Sequence, residues 1–382
     1  MKLSILFSIL TLKSVFATRF IIQLTNEVEL HKYTNKFLRE FGINSDEAQV
    51  ELYSVGKNFQ AFSAILEQDH LRSLYNDLNI AAISIDRQLE PQEMIVQKDA
   101  PRHLTKLLET EAGDNEFVYD STAGNGVDIY IFDTGIARNS PGLSASRIHD
   151  MPGMPGPPIR DQEILEHGTA MSGLIGSPAF GVLKKCNLID VNVGDENGKV
   201  FMSKVLKGLN LVQQHVKHTN RPSVINFSYC TLKNAILNSA FDNFPRDVPI
   251  AVAAGNYKQP GCSFSPVGCQ RNKSLLAFGS LLMNDDGITL SDFSNYGSCV
   301  GSYAPGEGLL TFGIPDTSRP NSRDTVIIIS GTSGSSALGA GVIGYYMAQG
   351  IPGEEVVDSL RIVQPNLTSY GKNNGINILK MA

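Results

Sequence analysis

Four polar residues in this chain have the types and settings needed to turn a serine into a nucleophile. Asp133 closes "VDIYIFD", His167 sits in "EHGTAMSG", Asn256 follows "PIAVAAG" and Ser333 lies in "SGTSGSS". A serine hydroxyl reacts poorly at neutral pH without a base beside it, and an imidazole is the usual base. Polar residues at the carboxyl ends of strands, such as Asp133 and Asn256, can converge with them on one crevice. Such a set would suit nucleophilic catalysis by an activated serine.

The serine block needs sorting, because residues 330 to 336 hold four serines. Ser330 belongs to the strand side of "TVIIIS", and Ser335 and Ser336 fall within a first helical turn, where hydroxyls tend to bond back to the helix. Ser333 sits at the helix start, where free N–H groups and the positive end of the macrodipole favour an oxyanion. Taken alone, a "GTS" turn is more often a helix cap than a nucleophile, and a lone histidine is more often structural. The joint occurrence changes the balance. His31 and His70 lie in an N-terminal unit, His215 and His218 end an amphipathic helix, and His103 and His149 have polar surroundings. His167 opens a helix in which Gly168 and Gly173 permit close approach of the backbone.

These residues can act together only if a fold gathers them. From Asn125 onward, apolar runs alternate with helical stretches: "GVDIYIFD", "CNLIDVNV", "SVINFS", "PIAVAAG", "LLAFGS" and "TVIIIS" read as strands. Near-continuous apolar strands suit a parallel sheet covered on both faces. "SKVLKGLNLVQQHVKH" places Val205, Leu209, Val212 and Val216 on one helical face, and "NAILNSAFDNF" reads as a second crossover helix. The expected fold is α/β, a doubly wound, mostly parallel sheet with helices on both faces and its reactive residues at strand carboxyl ends. Residues 18–94 read as a small α+β domain preceding it, from "TRFIIQLT" to "IAAISIDRQL". The polar stretch that follows suits a linker a protease can reach, and a processing boundary is expected between about Leu89 and Ala100.

In order, "DTG", "HGT", "AAGN" and "SGTS" resemble the signature blocks of the subtilisin-like serine proteases (peptidase S8). "YDSTAGNGVDIYIFDTGI" and "FSNYGSCVGSYAPG" look most like the fungal proteinase K branch. The order Asp, His, Ser is that of subtilisin rather than of chymotrypsin or the α/β-hydrolases, and no G-x-S-x-G elbow of a lipase or esterase is present. The resemblance runs from about residue 95 to the end, and residues 18–94 look like the family's I9-type inhibitory propeptide. It implies a secreted serine endopeptidase made as a self-processing zymogen, with residues 95–382 as the catalytic domain. It also implies a triad of Asp133, His167 and Ser333, with the Asn256 amide and the Ser333 backbone N–H as the oxyanion hole. Ser228, Ala253, Ala254 and Gly255 would line a cleft where an extended peptide adds as a strand. In "SYCTL", Tyr229 and Cys230 replace a Ser-Leu-Gly-Gly type of segment, so side-chain preference does not carry over. Past Ser333 the chain also departs from the family: Gly334 would free the backbone, and Ala337 stands at a family proline. These departures motivate an alternative, a catalytically silent subtilase-like surface or wall binding protein, although no triad or oxyanion residue is missing.

Composition sets the remaining bounds. The 382 residues are 42% hydrophobic, 18% charged and carry a net charge of -6, so no basic footprint for nucleic acid or an anionic membrane exists. The resemblance, rather than composition, implies protein or peptide substrates and the chain's own propeptide as inhibitor, with the enzyme a monomer. "MKLSILFSILTLKSVFAT" reads as a signal peptide over residues 1–17, cut near Ala17 and too short to span a bilayer. The expected location is secreted and extracellular, with retention in a cell or spore wall left open. Cysteines at 186, 230, 262, 269 and 299 suit one or two disulfides, Cys262 with Cys269 being the best local pair. Asn272-Lys-Ser and Asn366-Leu-Thr are glycan acceptors by sequence, whereas Asn226-Phe-Ser falls on a core strand. No metal ligand is assigned: no C-x-x-C spacing exists, and calcium stays open with Asp285 and Asp286 reading as an exposed turn.

Overall fold

The computed structural model describes residues 18–75, 77–86, 93–108, 115–140, 142–154, 162–269, 271–284, 287–314, 326–361 and 378–381. The signal-like segment, the Asn366 sequon and the pair Asp285 and Asp286 lie outside the described residues. The chain divides into two compact units, Met1–Pro91 and Gln92–Ala382.

In the first unit, four antiparallel strands run in the order Glu51–Val55, Phe59–Leu66, Thr18–Leu24, Ile80–Ile85. Alternation along "FIIQL" turns Ile22 and Leu24 inward, where they meet Phe62, Leu66 and the helix residues Phe37 and Leu74. Helix Leu30–Glu40 is capped by Glu29, whose carboxylate accepts from the N–H groups of His31 and Lys32. The Glu51–Val55 strand is absent from the sequence reading because it carries little apolar signal and lies mostly exposed.

The second unit is built on an eight-stranded sheet. Its order is Gly287–Leu290, Leu275–Asn284, Ile250–Ala253, Ser223–Phe227, Asp128–Asp133, Asn187–Asn192, Ile148–Asp150, with Ser302–Pro305 also beside Leu275–Asn284. Every pairing is parallel except that of Gly287–Leu290. Asp128–Asp133 and its neighbour Ser223–Phe227 are buried at every residue, as a sheet covered on both faces requires. Val205, Leu209 and Val212 of helix Met202–Thr219 pack with Phe132 and Val191 on one face. The helices Glu166–Gly176 and Thr332–Ala348 share the other face with Ile129, Ile131 and Phe278. The α/β, mostly parallel architecture expected from the sequence is thus the one observed.

Four expectations need correction. "TVIIIS" is not part of the sheet: Val326–Ile329 pairs antiparallel with Leu309–Phe312 in a separate hairpin, and Ile328 is 70% exposed. An apolar run hides such one-sided exposure. Cys262 bonds to Cys299, not to Cys269, with a Cα–Cα distance of 5.2 Å. The Cys269 thiol instead faces the Asn238 carbonyl, so the two side chains diverge despite their proximity in sequence. Asn272 is 3% exposed and its amide donates to the carbonyls of Phe241 and Phe244, so that sequon carries no glycan in this fold. Gly334 does not loosen the backbone after Ser333. It is a buried helical residue, and a Cβ there would lie 2.3 Å from Leu309 Cδ1.

Candidate active site

The parallel sheet sets the position of each polar group. Asp133 is the last residue of the central strand, Ser228 follows Ser223–Phe227, and Ala254, Gly255 and Asn256 follow Ile250–Ala253. All stand at carboxyl ends of neighbouring strands, on either side of the point where the chain reverses its progress across the sheet. His167 and Ser333 are each the second residue of a helix, Glu166–Gly176 and Thr332–Ala348.

His167 Nδ1 lies 2.9 Å from both carboxylate oxygens of Asp133. The Asp133 side chain is fully buried, whereas 40% of the His167 side chain is exposed. Three further contacts fix the carboxylate: the Thr134 N–H donates to Oδ1 at 2.7 Å, the Thr134 hydroxyl at 3.3 Å and the Tyr229 hydroxyl at 3.2 Å. Close approach of the histidine helix depends on Gly168, because a Cβ there would meet the Gly135 carbonyl oxygen at 2.3 Å and Asp133 Cβ at 3.1 Å. Burial opposes protonation of the His167 ring. The charge of Asp133 and its hydrogen bond outweigh that, and the imidazole pKa sits above its ordinary value.

Of the four serines, Ser330 accepts from the Gly308 N–H, Ser335 donates to the carbonyls of Ala304 and Pro305, and Ser336 donates to the Ser333 carbonyl. Ser333 is partly exposed, and its hydroxyl donates to the Ser228 carbonyl at 3.0 Å. Among the described residues, no hydrogen bond joins it to His167, as is common in a substrate-free site.

Asn256 is exposed but oriented. Its Oδ1 accepts from both the N–H (2.9 Å) and the hydroxyl (2.8 Å) of Thr332, which points the amide nitrogen the other way. Thr332 is itself 1% exposed and accepts the Gly255 N–H at 3.0 Å. Gly331 makes this possible. Its φ of 150° is unfavourable for other residues, and a Cβ would sit 3.1 Å from Asn256 Nδ2. The sequence reading missed Thr332; its signal was the middle letter of "GTS".

The expected lining residues divide in two. Ala253, Ala254 and Gly255 are buried, and the backbone groups of Ala254 and Gly255 are already bonded to Phe278, Asn295 and Thr332. They form a wall. The open backbone edge is the neighbouring segment after Ser228, because Tyr229 and Cys230 make no backbone hydrogen bond among the described residues. Cys230 Sγ leans on Gly255, 2.8 Å from where a Cβ would be, and so narrows the space between the two segments. Among the described residues, no group of three or more His, Cys, Asp or Glu could hold a metal ion, and none of the helices is long and apolar enough to cross a membrane.

Comparison with known proteins gives the family and the fold. The model of the subtilase family, peptidase S8, matches residues 124–361. Subtilisin-like protease 5 of Arthroderma gypseum is 28% identical over 330 residues, covering 84% of this chain and 78% of that protein. The subtilisin-like serine protease AsES of Sarocladium strictum is 30% identical over 303 residues, covering 78% and 74%. Among solved structures, a cold adapted subtilisin-like serine proteinase superposes with a TM-score of 0.61 at 27% identity, over 74% of this chain and 98% of that one. The chain therefore belongs to the subtilase family and is a subtilisin-like serine endopeptidase.

Proposed function

We propose that Ser333, His167 and Asp133 act as one catalytic unit on peptide bonds. The Ser333 hydroxyl turns from the Ser228 carbonyl toward His167 Nε2 and gives up its proton as Oγ bonds to the scissile carbonyl carbon. Asp133 keeps the Nδ1 proton facing it and stabilises the imidazolium. The carbonyl oxygen becomes an oxyanion held by Asn256 Nδ2 and the Ser333 N–H at the helix start. As the intermediate collapses, the carbon–nitrogen bond breaks and His167 protonates the leaving amine. Water then attacks the acyl-enzyme by the same route. The substrate lies as an added strand along Ser228–Cys230, with the 253–255 wall opposite. The observation that carries this reading is the 2.9 Å contact of His167 Nδ1 with both oxygens of a fully buried Asp133.

The wider biology belongs to the same proposal. Residues 1–17 direct secretion, residues 18–94 serve as an inhibitory propeptide, and the chain cuts itself near the end of that region. The strand Met94–Gln97 pairs with Phe117–Asp120, so the chain is already tied into the second unit from about Met94 onward. Among the described residues no three His, Cys, Asp or Glu side chains gather at one point, and no step above is routed through calcium. The test is to express the full chain in a secretory host, treat it with a fluorophosphonate probe and map the label by mass spectrometry. Label on Ser333 together with a new N-terminus near residues 90 to 100 is expected. An unlabelled, uncut and correctly folded chain would sink the proposal.

A further inference from the structure

One ionisable side chain touches both Asp133 and His167 yet has no part in the mechanism above. Tyr229 places its hydroxyl 3.2 Å from Asp133 Oδ1. Its ring centroid lies 5.5 Å from that of His167, tilted by 50°, and 6.1 Å from that of Phe227, whose side chain is in the core. The tyrosine thus stands between the core and the imidazole while donating to the carboxylate that the imidazole faces. Burial, and then the charge and hydrogen bond of Asp133, raise the phenol's pKa, so it remains a donor throughout the working range of pH.

We propose that Tyr229 is a positioning residue of this site: its hydroxyl draws off part of the negative charge of Asp133, and its ring backs the imidazole against the carboxylate. The inference rests on the triad reading above. Among the described residues, Asp133 Oδ2 has one partner, His167, whereas Oδ1 is shared among His167, Thr134 and Tyr229. Every donor to Oδ1 weakens the field that favours imidazolium, and the tyrosine contribution is removable by deleting one oxygen. Asp133 and Tyr229 face the ring, and Asp190, on the adjacent strand Asn187–Asn192, feels the charge of Asp133. Loss of the hydroxyl leaves more negative charge against His167, so its pKa rises and the active neutral form appears at higher pH.

The test compares the full-length secreted enzyme with its Tyr229→Phe and Tyr229→Leu variants, each checked by thermal melting. Two quantities are read: the acidic limb of kcat/KM on a chromogenic peptide, and the NMR titration of the His167 ring, which needs no turnover. For Tyr229→Phe, both are expected to move up by roughly 0.5 pH unit, about threefold in proton affinity. For Tyr229→Leu, which also removes the ring, kcat is expected to fall about 10-fold further with KM within about twofold. A folded Tyr229→Phe variant whose His167 titration stays within about 0.1 unit of wild type, or moves down, overturns the role of the hydroxyl. Equal kcat in Tyr229→Phe and Tyr229→Leu overturns the role of the ring. A wild type that titrates normally but cleaves nothing would instead count against the triad reading, and the NMR comparison would still decide the effect of the tyrosine.

Discussion

Replacing Thr332 by Val keeps the shape of the residue and removes one hydroxyl, so it isolates how the Asn256 amide is held. That hydroxyl has two duties: it donates to Asn256 Oδ1 at 2.8 Å and accepts the Gly255 N–H at 3.0 Å. Losing the first leaves Asn256 tethered, among the described residues, by the Thr332 N–H at 2.9 Å alone. Losing the second strands a buried donor, which costs about 1–3 kcal/mol in addition to a hydrogen bond worth about 1 kcal/mol. A total near 2–4 kcal/mol should lower the melting temperature of the second unit by roughly 3–7 °C. The catalytic effect should be separate and larger than that shift suggests. An amide free to swing loses part of its grip on the oxyanion, so kcat should fall about 10-fold with KM nearly constant, short of the roughly 100- to 1000-fold expected for Asn256→Leu. Steady-state kinetics on both variants and on the double variant would check this. If Thr332 acts through Asn256, adding Thr332→Val to Asn256→Leu should cost little more in kcat. Additive losses in the double variant, or unchanged kcat in Thr332→Val, would refute the reasoning.

Other expectations follow from the same contacts. The raised pKa of His167 means that its neutral, active form appears only as pH climbs past the ordinary imidazole value, so the acidic midpoint of kcat/KM should lie above 6.5. The linked stability has the opposite trend: it is fully present below the unfolded pKa and is lost as pH rises through the folded one, as denaturant titrations across that window would show. Gly168→Ala should push the histidine helix off the Gly135 carbonyl, 2.3 Å from the new methyl, and reduce kcat by at least about 10-fold with about 1–3 kcal/mol lost in urea unfolding. Replacing both Cys262 and Cys299 by Ala opens a link across 37 residues and should cost about 4 kcal/mol by loop-closure entropy, measured in the same way.

Much of the fold is legible in the sequence because fully buried parallel strands leave dense apolar runs. Asp128–Asp133 and Ser223–Phe227 can hardly be read otherwise. The same logic fails for "TVIIIS", since a hairpin with one solvent face carries residues as apolar as those of the core. At the site, Asp133, His167, Asn256 and Ser333 stand out through residue type and local setting. Their partners do not. Thr332 holds Asn256 across 76 positions and Tyr229 reaches Asp133 across 96, and neither pairing leaves a local mark. The Cys262–Cys299 bond and the burial of Asn272 are hidden for the same reason: both depend on which loops the sheet brings together.

Ser333 is carried on a helix in which all but a few residues are buried, with Gly339, Gly341 and Gly344 against Phe278, Val182 and Leu183. Such a helix has no freedom to loosen while the sheet beneath it stays intact. Heat damage should therefore strike the nucleophile and the core in a single event, with no intermediate stage of a sound scaffold bearing a slack active serine. Residual activity in a warmed sample would then count whole molecules rather than grade partly impaired ones.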